Sequence, residues 1–312
     1  MKKIIILLAL LTVASFSQAQ IGSVIGKKLK EKASQTINNA LGNNQNQNQN
    51  NANYDETNNT PKTSDKDEEI TPQKVIEMVP TMPQPNQLAE YLCESHRTNP
   101  RTLKMLANPT TTYIAQLAAA GVGSYATMAG QNGYGRYFAF DDQLLKEFGI
   151  TQEQYDAMSE EQQQELALKY AAEMEDRYYK TIERLGKDEK YQKMIEQYNG
   201  IEDKINKIYN DADSVCRDVW QKKYGNKENP TEDDICNYYR QNIQTYYNAV
   251  LQGMRIRKTE QMTVAKQIDT YVQSLAKIYP NEIYSGLYSQ QSVCATSYVA
   301  DASRVTTMSD PR

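Results

Sequence analysis

The sequence predicts an all-α protein, an elongated antiparallel, coiled-coil-like helical hairpin packed with several shorter helices and preceded by a disordered linker. Three observations lead there. First, stripe positions recur in alternating steps of four and three at Tyr191, Ile195, Tyr198, Glu202, Ile205, Tyr209, Ala212, Cys216 and Val219, the heptad spacing of paired helices. Met194, Ile201, Ile208 and Val215 widen that stripe on one flank. Second, a matching stripe runs through Cys236, Tyr239, Ile243, Tyr246 and Val250. After a four-residue shift it resumes as Met254, Lys258, Gln261, Ala265, Ile268, Val272, Leu275 and Tyr279. Third, the segment between them reads as a turn at 224–231. Tyr224-Gly225 offers a helix stop, Asn229-Pro230 a break, and Thr231 an N-cap followed by three acids at the positive end of a new helix dipole. At 1.5 Å per residue, the helical reach from Glu232 to Tyr279 is roughly 70 Å.

Composition agrees with thin, extended packing. A mean hydropathy of −0.76 and 39% hydrophobic residues are low for one thick core. Tyr is abundant, 23 residues against four Phe and one Trp, and it can close a thin core while its hydroxyl reaches water.

The N-terminus carries an export signal in residues 1–19. Lys2 and Lys3 precede an apolar run from Ile4 to Val13, and Ser17-Gln18-Ala19 supplies a small-x-small cleavage site, so a mature chain starting at Gln20 is expected in a bacterial periplasm or secreted. Removal of Lys2 and Lys3 leaves 33 basic against 39 acidic residues, a net charge of −6, which argues against bulk affinity for nucleic acid. Residues 20–41 form a basic amphipathic arm. Its apolar positions Ile21, Ile25, Leu29, Ala33, Ile37 and Leu41 are spaced by four with lysines between them. A strict spacing of four drifts round the helix, so docking on protein is weighed above a grip on an anionic membrane surface. Residues 42–85, rich in Asn and Gln and then in Pro, read as a linker that buries too little apolar surface to order itself, with Val75–Val79 as a brief docking element inside it.

The body begins near residue 86. Short helices end at Asn99-Pro100 and Asn108-Pro109, and no charged residue occurs between Lys104 and Arg136. Ala115, Ala119 and Gly123 stand four apart there, which permits close helix approach. Residues 109–135 read as a packed helix with a Gly-rich loop, the alternative being an insertable, membrane-active segment. Thr151 with Gln154 and Ser159 with Gln162 are capping boxes opening two further helices. Gly186 ends or bends the second of these. Residues 281–312 form a tail tied back to the body.

An exported chain with four cysteines is expected to hold two disulfides, with three pairings open. Cys216–Cys236 is expected because both cysteines sit in stripes near one turn, which leaves Cys93–Cys294 by elimination. Level cysteines place Gly200 opposite Gln252 with Gly253 next to it, a close crossing or a shared bend.

The search for chemistry is mostly negative. His96 lies one turn from Cys93 with Glu90 and Glu94 near, but a disulfide removes the thiol and one His makes no metal cluster. Asp211, Asp213 and Asp218 match a calcium loop only at the acids, because position six is Cys216 and position twelve Lys222. No nucleophile elbow, zinc-helix, phosphate-loop or dinucleotide motif is present. No catalytic, cofactor-binding or metal residue is therefore expected. The doublets Tyr178-Tyr179, Tyr238-Tyr239 and Tyr246-Tyr247 are the candidate partner surface, with plain core packing as the competing account. These observations predict a non-enzymatic interaction or scaffold protein of the envelope or exterior, its partner a protein or a glycan. A membrane-active protein using 21–41 and 109–135 is the alternative.

Overall fold

Prolines open three of the helices, each at a first-turn position where the missing N–H is not needed. The computed structural model describes residues 70–131, 149–287 and 289–308, all within one unit, Glu68–Arg312. The export signal, the basic arm, the linker up to residue 69 and most of the Gly-rich loop lie outside the described residues. Ten α-helices are described: α1 Pro72–Met78, α2 Pro85–Ser95, α3 Thr102–Leu106, α4 Pro109–Gln131, α5 Gln152–Asp156, α6 Glu160–Gly186, α7 Glu189–Tyr224, α8 Glu232–Ile256, α9 Met262–Ile278 and α10 Gln290–Ser303. Among the described residues there is no strand, so the all-α class holds.

The local start signals act as expected. Thr151 accepts from the Gln154 amide and Ser159 from the Gln162 amide, and each glutamine side chain returns the bond. Thr231 and Asp234 do the same at the head of α8. Gly186 ends α6, and Asp188 caps α7 by accepting from the Tyr191 amide at 2.8 Å. α7 then runs unbroken through Gly200.

Helix α8 continues into α9 through a π-turn, Arg257–Gln261. A π-turn inserts one extra residue, so the apolar stripe of α8 cannot continue unchanged into α9. The structure turns Arg257 and Gln261 inward and leaves Lys258, the predicted stripe position, exposed.

α7 and the α8–α9 helix run antiparallel, but in a different register from the one predicted. Cys216 meets the Asn242 carbonyl, Glu202 meets Arg257, and Tyr198 meets Gln261. Cys216 is thus level with a residue six beyond Cys236, an offset of about 9 Å along the helix. The cause sits near the turn. Trp220 packs on Tyr224 and Tyr238 with centroids 4.6 and 5.5 Å away, and this aromatic block sets the level of the two helices. Gly200 and Gln252 consequently do not form a crossing. A Cβ at Gly200 would meet open space, whereas one at Gly253 would fall inside the Tyr209 phenol. Gly253→Ala is expected to cost about 1–3 kcal/mol, because Tyr209 is buried and cannot retreat; an unchanged thermal melt would refute this contact.

Two cores hold the helices. One joins α8 with α1, α2, α4, α10 and the C-terminal half of α7; the other joins the N-terminal half of α7 with α9, Leu185 at the end of α6, Ile283, and Cys294 of α10. The predicted linker therefore ends earlier than 85, since α1 buries Val75 and Ile76 and sets Met78 against Gly123 of α4. Of the small-residue stripe only Gly123 serves as a close contact; Ala115 is exposed. α4 buries Tyr113, Leu117 and Ala120 and exposes Val122. No described helix is long and apolar enough to cross a membrane.

The tail folds into α10 and packs in the core without a disulfide. Asp269 of α9, itself buried, accepts from the Gln290 and Gln291 amides at 2.6 and 3.0 Å and so caps α10 from a neighbouring helix.

Candidate functional site

The cysteines pair as Cys93–Cys236, with Cα atoms 4.7 Å apart. Cys216 and Cys294 are buried thiols. This corrects both predicted pairs, Cys216–Cys236 and Cys93–Cys294. The register separates the first pair, and α2 lies against the start of α8, where the second pair would have needed α10. Burial pushes the Cys216 thiol up to about 11 and the Cys294 thiol up to about 12, so neither is a ready nucleophile.

The tyrosine doublets do not assemble into a surface. Tyr238, Tyr239 and Tyr246 are buried, Tyr178 and Tyr247 are half-buried, and Tyr179 is the exposed member, at 48%. Rings spaced along α8 face the core because α2, α7 and α10 close over it. His96 stacks on Tyr239 with centroids 5.3 Å apart. Among the described residues no group of His, Cys, Asp and Glu is placed to hold a metal ion.

The feature built outward lies beside the disulfide. Glu94, the residue after Cys93, is 1% exposed. It accepts from Arg101 Nε at 3.0 Å and from Lys104 Nζ at 3.2 Å, and it also binds Arg101 Nη2. The Arg101 hydrogen bonds outweigh burial and hold the Glu94 carboxyl down to about 2. Arg240 of α8 bonds Glu90 at 2.7 Å, and the Thr98 amide donates to Glu232 at 2.8 Å. Arg97 spans the junction, with Nη2 3.8 Å from Cys236 Sγ and Nη1 3.5 Å from Glu232. These contacts moor α2, α3 and the head of α8 to one another. On that mooring, α3 presents Leu103 at 83% exposure and Leu106 at 63%.

No protein-family model, curated protein or solved structure matches the chain.

A buried polar cluster joins α7, the α8–α9 helix and α10. Arg257, 2% exposed, donates through Nε to Asp301 of α10 at 2.5 Å. Through Nη1 and Nη2 it grips both oxygens of Glu202 at 2.5 and 3.0 Å, and Nη1 also meets Gln261 at 2.6 Å. Burial opposes the Arg257 charge, but the hydrogen bonds it donates to both carboxylates win and raise its pKa above the ordinary value. Tyr209 lies against the cluster, with Arg304 over its ring at 4.5 Å. One trace of the cluster is visible in the sequence, since Glu202 occupies a stripe position where an acid requires a buried cationic partner.

Proposed function

We propose that the protein is an exported, non-enzymatic helical interaction protein of the cell envelope or exterior that docks on a protein partner through Leu103 and Leu106. One observation carries this reading. Two leucines, one helical turn apart, are held outward on a five-residue helix whose mooring contains a fully buried carboxylate with cationic partners. A solvated Leu is ordinary by itself. An apolar pair on a helix anchored through Arg101 and Lys104 can serve as an interface centre, where little ordering entropy of the backbone is lost on binding. Aliphatic side chains suit an apolar groove in a protein better than a sugar face, which favours aromatic rings. Export is supported by the N-terminal signal pattern and by a cysteine pair at disulfide distance, a bond that persists in oxidising compartments.

The test is site-specific photo-crosslinking in the producing cell, followed by envelope fractionation. A crosslinking residue at position 103 is expected to give one discrete protein adduct, and one at exposed Lys207 of α7 none. Leu106→Asp should abolish the adduct while leaving the far-UV melt unchanged. Equal labelling from both positions, or an adduct indifferent to Leu106→Asp, would reject the docking site.

A further inference from the structure

A second lined surface lies on the same continuous helix, about 45 Å from the α2 mooring by helical rise between Arg240 and Thr270. There the start of α7 and the outer face of α9 leave an open groove of about 720 Å³. Its chemistry is one-sided. Lys190 and Lys266 line it together with Gln267, and no acid is among the lining residues. Most of the lining surface is nonetheless apolar, with Met194 among it.

Its hydroxyls are oriented. Thr263 donates to the Thr259 carbonyl at 2.7 Å, Thr270 to Lys266 at 2.8 Å and Ser274 to Tyr271 at 2.7 Å. With each proton committed to the helix's own backbone, the three oxygens keep lone pairs for an outside donor. Tyr271 is fixed as well. Its hydroxyl donates to Asp188 at 3.1 Å, and Lys190 Nζ stands 4.4 Å over its ring. Asp188 is already occupied by that hydroxyl and by the Tyr191 amide.

We propose that this groove binds an acidic polysaccharide. Two ammonium groups match carboxylates or sulfates, and the oriented hydroxyl oxygens accept from sugar hydroxyls. Met194 and Tyr271 offer an apolar portion to the sugar C–H faces. An acidic peptide would also satisfy the lysines but brings one backbone N–H per residue to the row of acceptors, where each sugar unit brings several hydroxyl donors. The groove does not depend on the α3 leucines, and the two surfaces together would let one chain connect a protein to an acidic glycan.

The experiment titrates a de-esterified oligogalacturonate into the full mature chain at low ionic strength. Saturable binding is expected. It should weaken by roughly tenfold or more in Lys190→Glu/Lys266→Glu, about 1.4 kcal/mol or more, and fall as salt is raised. Both lysines are exposed, so the variant should keep the wild-type melt. Dextran should not bind, and Leu103→Ser/Leu106→Ser should bind the oligogalacturonate as wild type does, which separates failure of this site from failure of the α3 site. Absence of binding, binding indifferent to the double lysine variant, or equal binding of poly-glutamate would overturn the proposal.

Discussion

Replacing Cys93 and Cys236 together by alanine is expected to lower the stability of the body by about 5 kcal/mol, the loop-closure contribution of a crosslink between residues 143 apart. In a domain of this size that is a fall in Tm on the order of 10 °C or more. The size follows from sequence distance, because the bond joins α2 to the head of α8 across most of the chain between them and so constrains the unfolded ensemble strongly. The folded state loses a brace too, since Arg97, Glu232 and the Thr98 amide are aligned by the same junction. Cys216→Ala, by contrast, removes one buried sulfur and should cost on the order of 1 kcal/mol. The measurement is a thermal melt of the oxidised proteins, with thiol titration of the denatured, unreduced wild type. Two reactive thiols are expected, at Cys216 and Cys294. A peptide map linking Cys216 to Cys236, or equal melts for the double variant and the wild type, would exclude the bond.

That bond also marks where sequence reasoning stops. Caps are local, so Thr151, Ser159 and Thr231 announced their helices from residues three positions away. The α7 stripe was legible because its period is a property of one helix. Register is different. It depends on how Trp220, Tyr224 and Tyr238 fill the space near the turn, and no single-helix pattern contains that packing. An offset of six residues was enough to part Cys216 from Cys236 and Gly200 from Gln252. The π-turn hid Arg257 in a similar way, since a charged residue after an apolar stripe reads as solvated until the extra residue rotates it inward. α10 was missed because Cys294, Ala295, Val299 and Ala302 are small or scattered and make a weak stripe, although Ser289 followed by Ser292 was an available N-terminal signal. Leu103 and Leu106 mark a short helix, and the three-dimensional arrangement alone shows that they face outward.

Arg257→Met is expected to be among the most damaging single substitutions, at about 3–5 kcal/mol, because it takes the close hydrogen-bonded cation from buried Asp301 and leaves it only Arg304, 3.7 Å from its other oxygen. The volume is nearly conserved, so the loss should be electrostatic more than steric. Asp301 is 3% exposed, and burial already pushes its pKa up, an effect the Arg257 hydrogen bond opposes. Without Arg257 the rise should grow. A carboxyl whose folded pKa lies above its unfolded value favours folding when protonated. The deficit of the variant should therefore be large at pH 7 and shrink as the pH falls toward the unfolded pKa of an Asp. Adding Asp301→Asn to Arg257→Met removes the uncompensated charge and should recover part of the stability, with Glu202 still able to reach solvent at its partly exposed side chain. Chemical denaturation at pH 7 and at pH 4.5 reads both effects. If Arg257→Met matched the wild type, or if its deficit were the same at both pH values and untouched by Asp301→Asn, the cluster would not be what fastens α10 to α7 and the π-turn. The expected result makes the cluster a fixed point of the fold, since α7, the α8–α9 helix and α10 meet there through one guanidinium, and the groove between α7 and α9 lies on two of the helices that this meeting aligns.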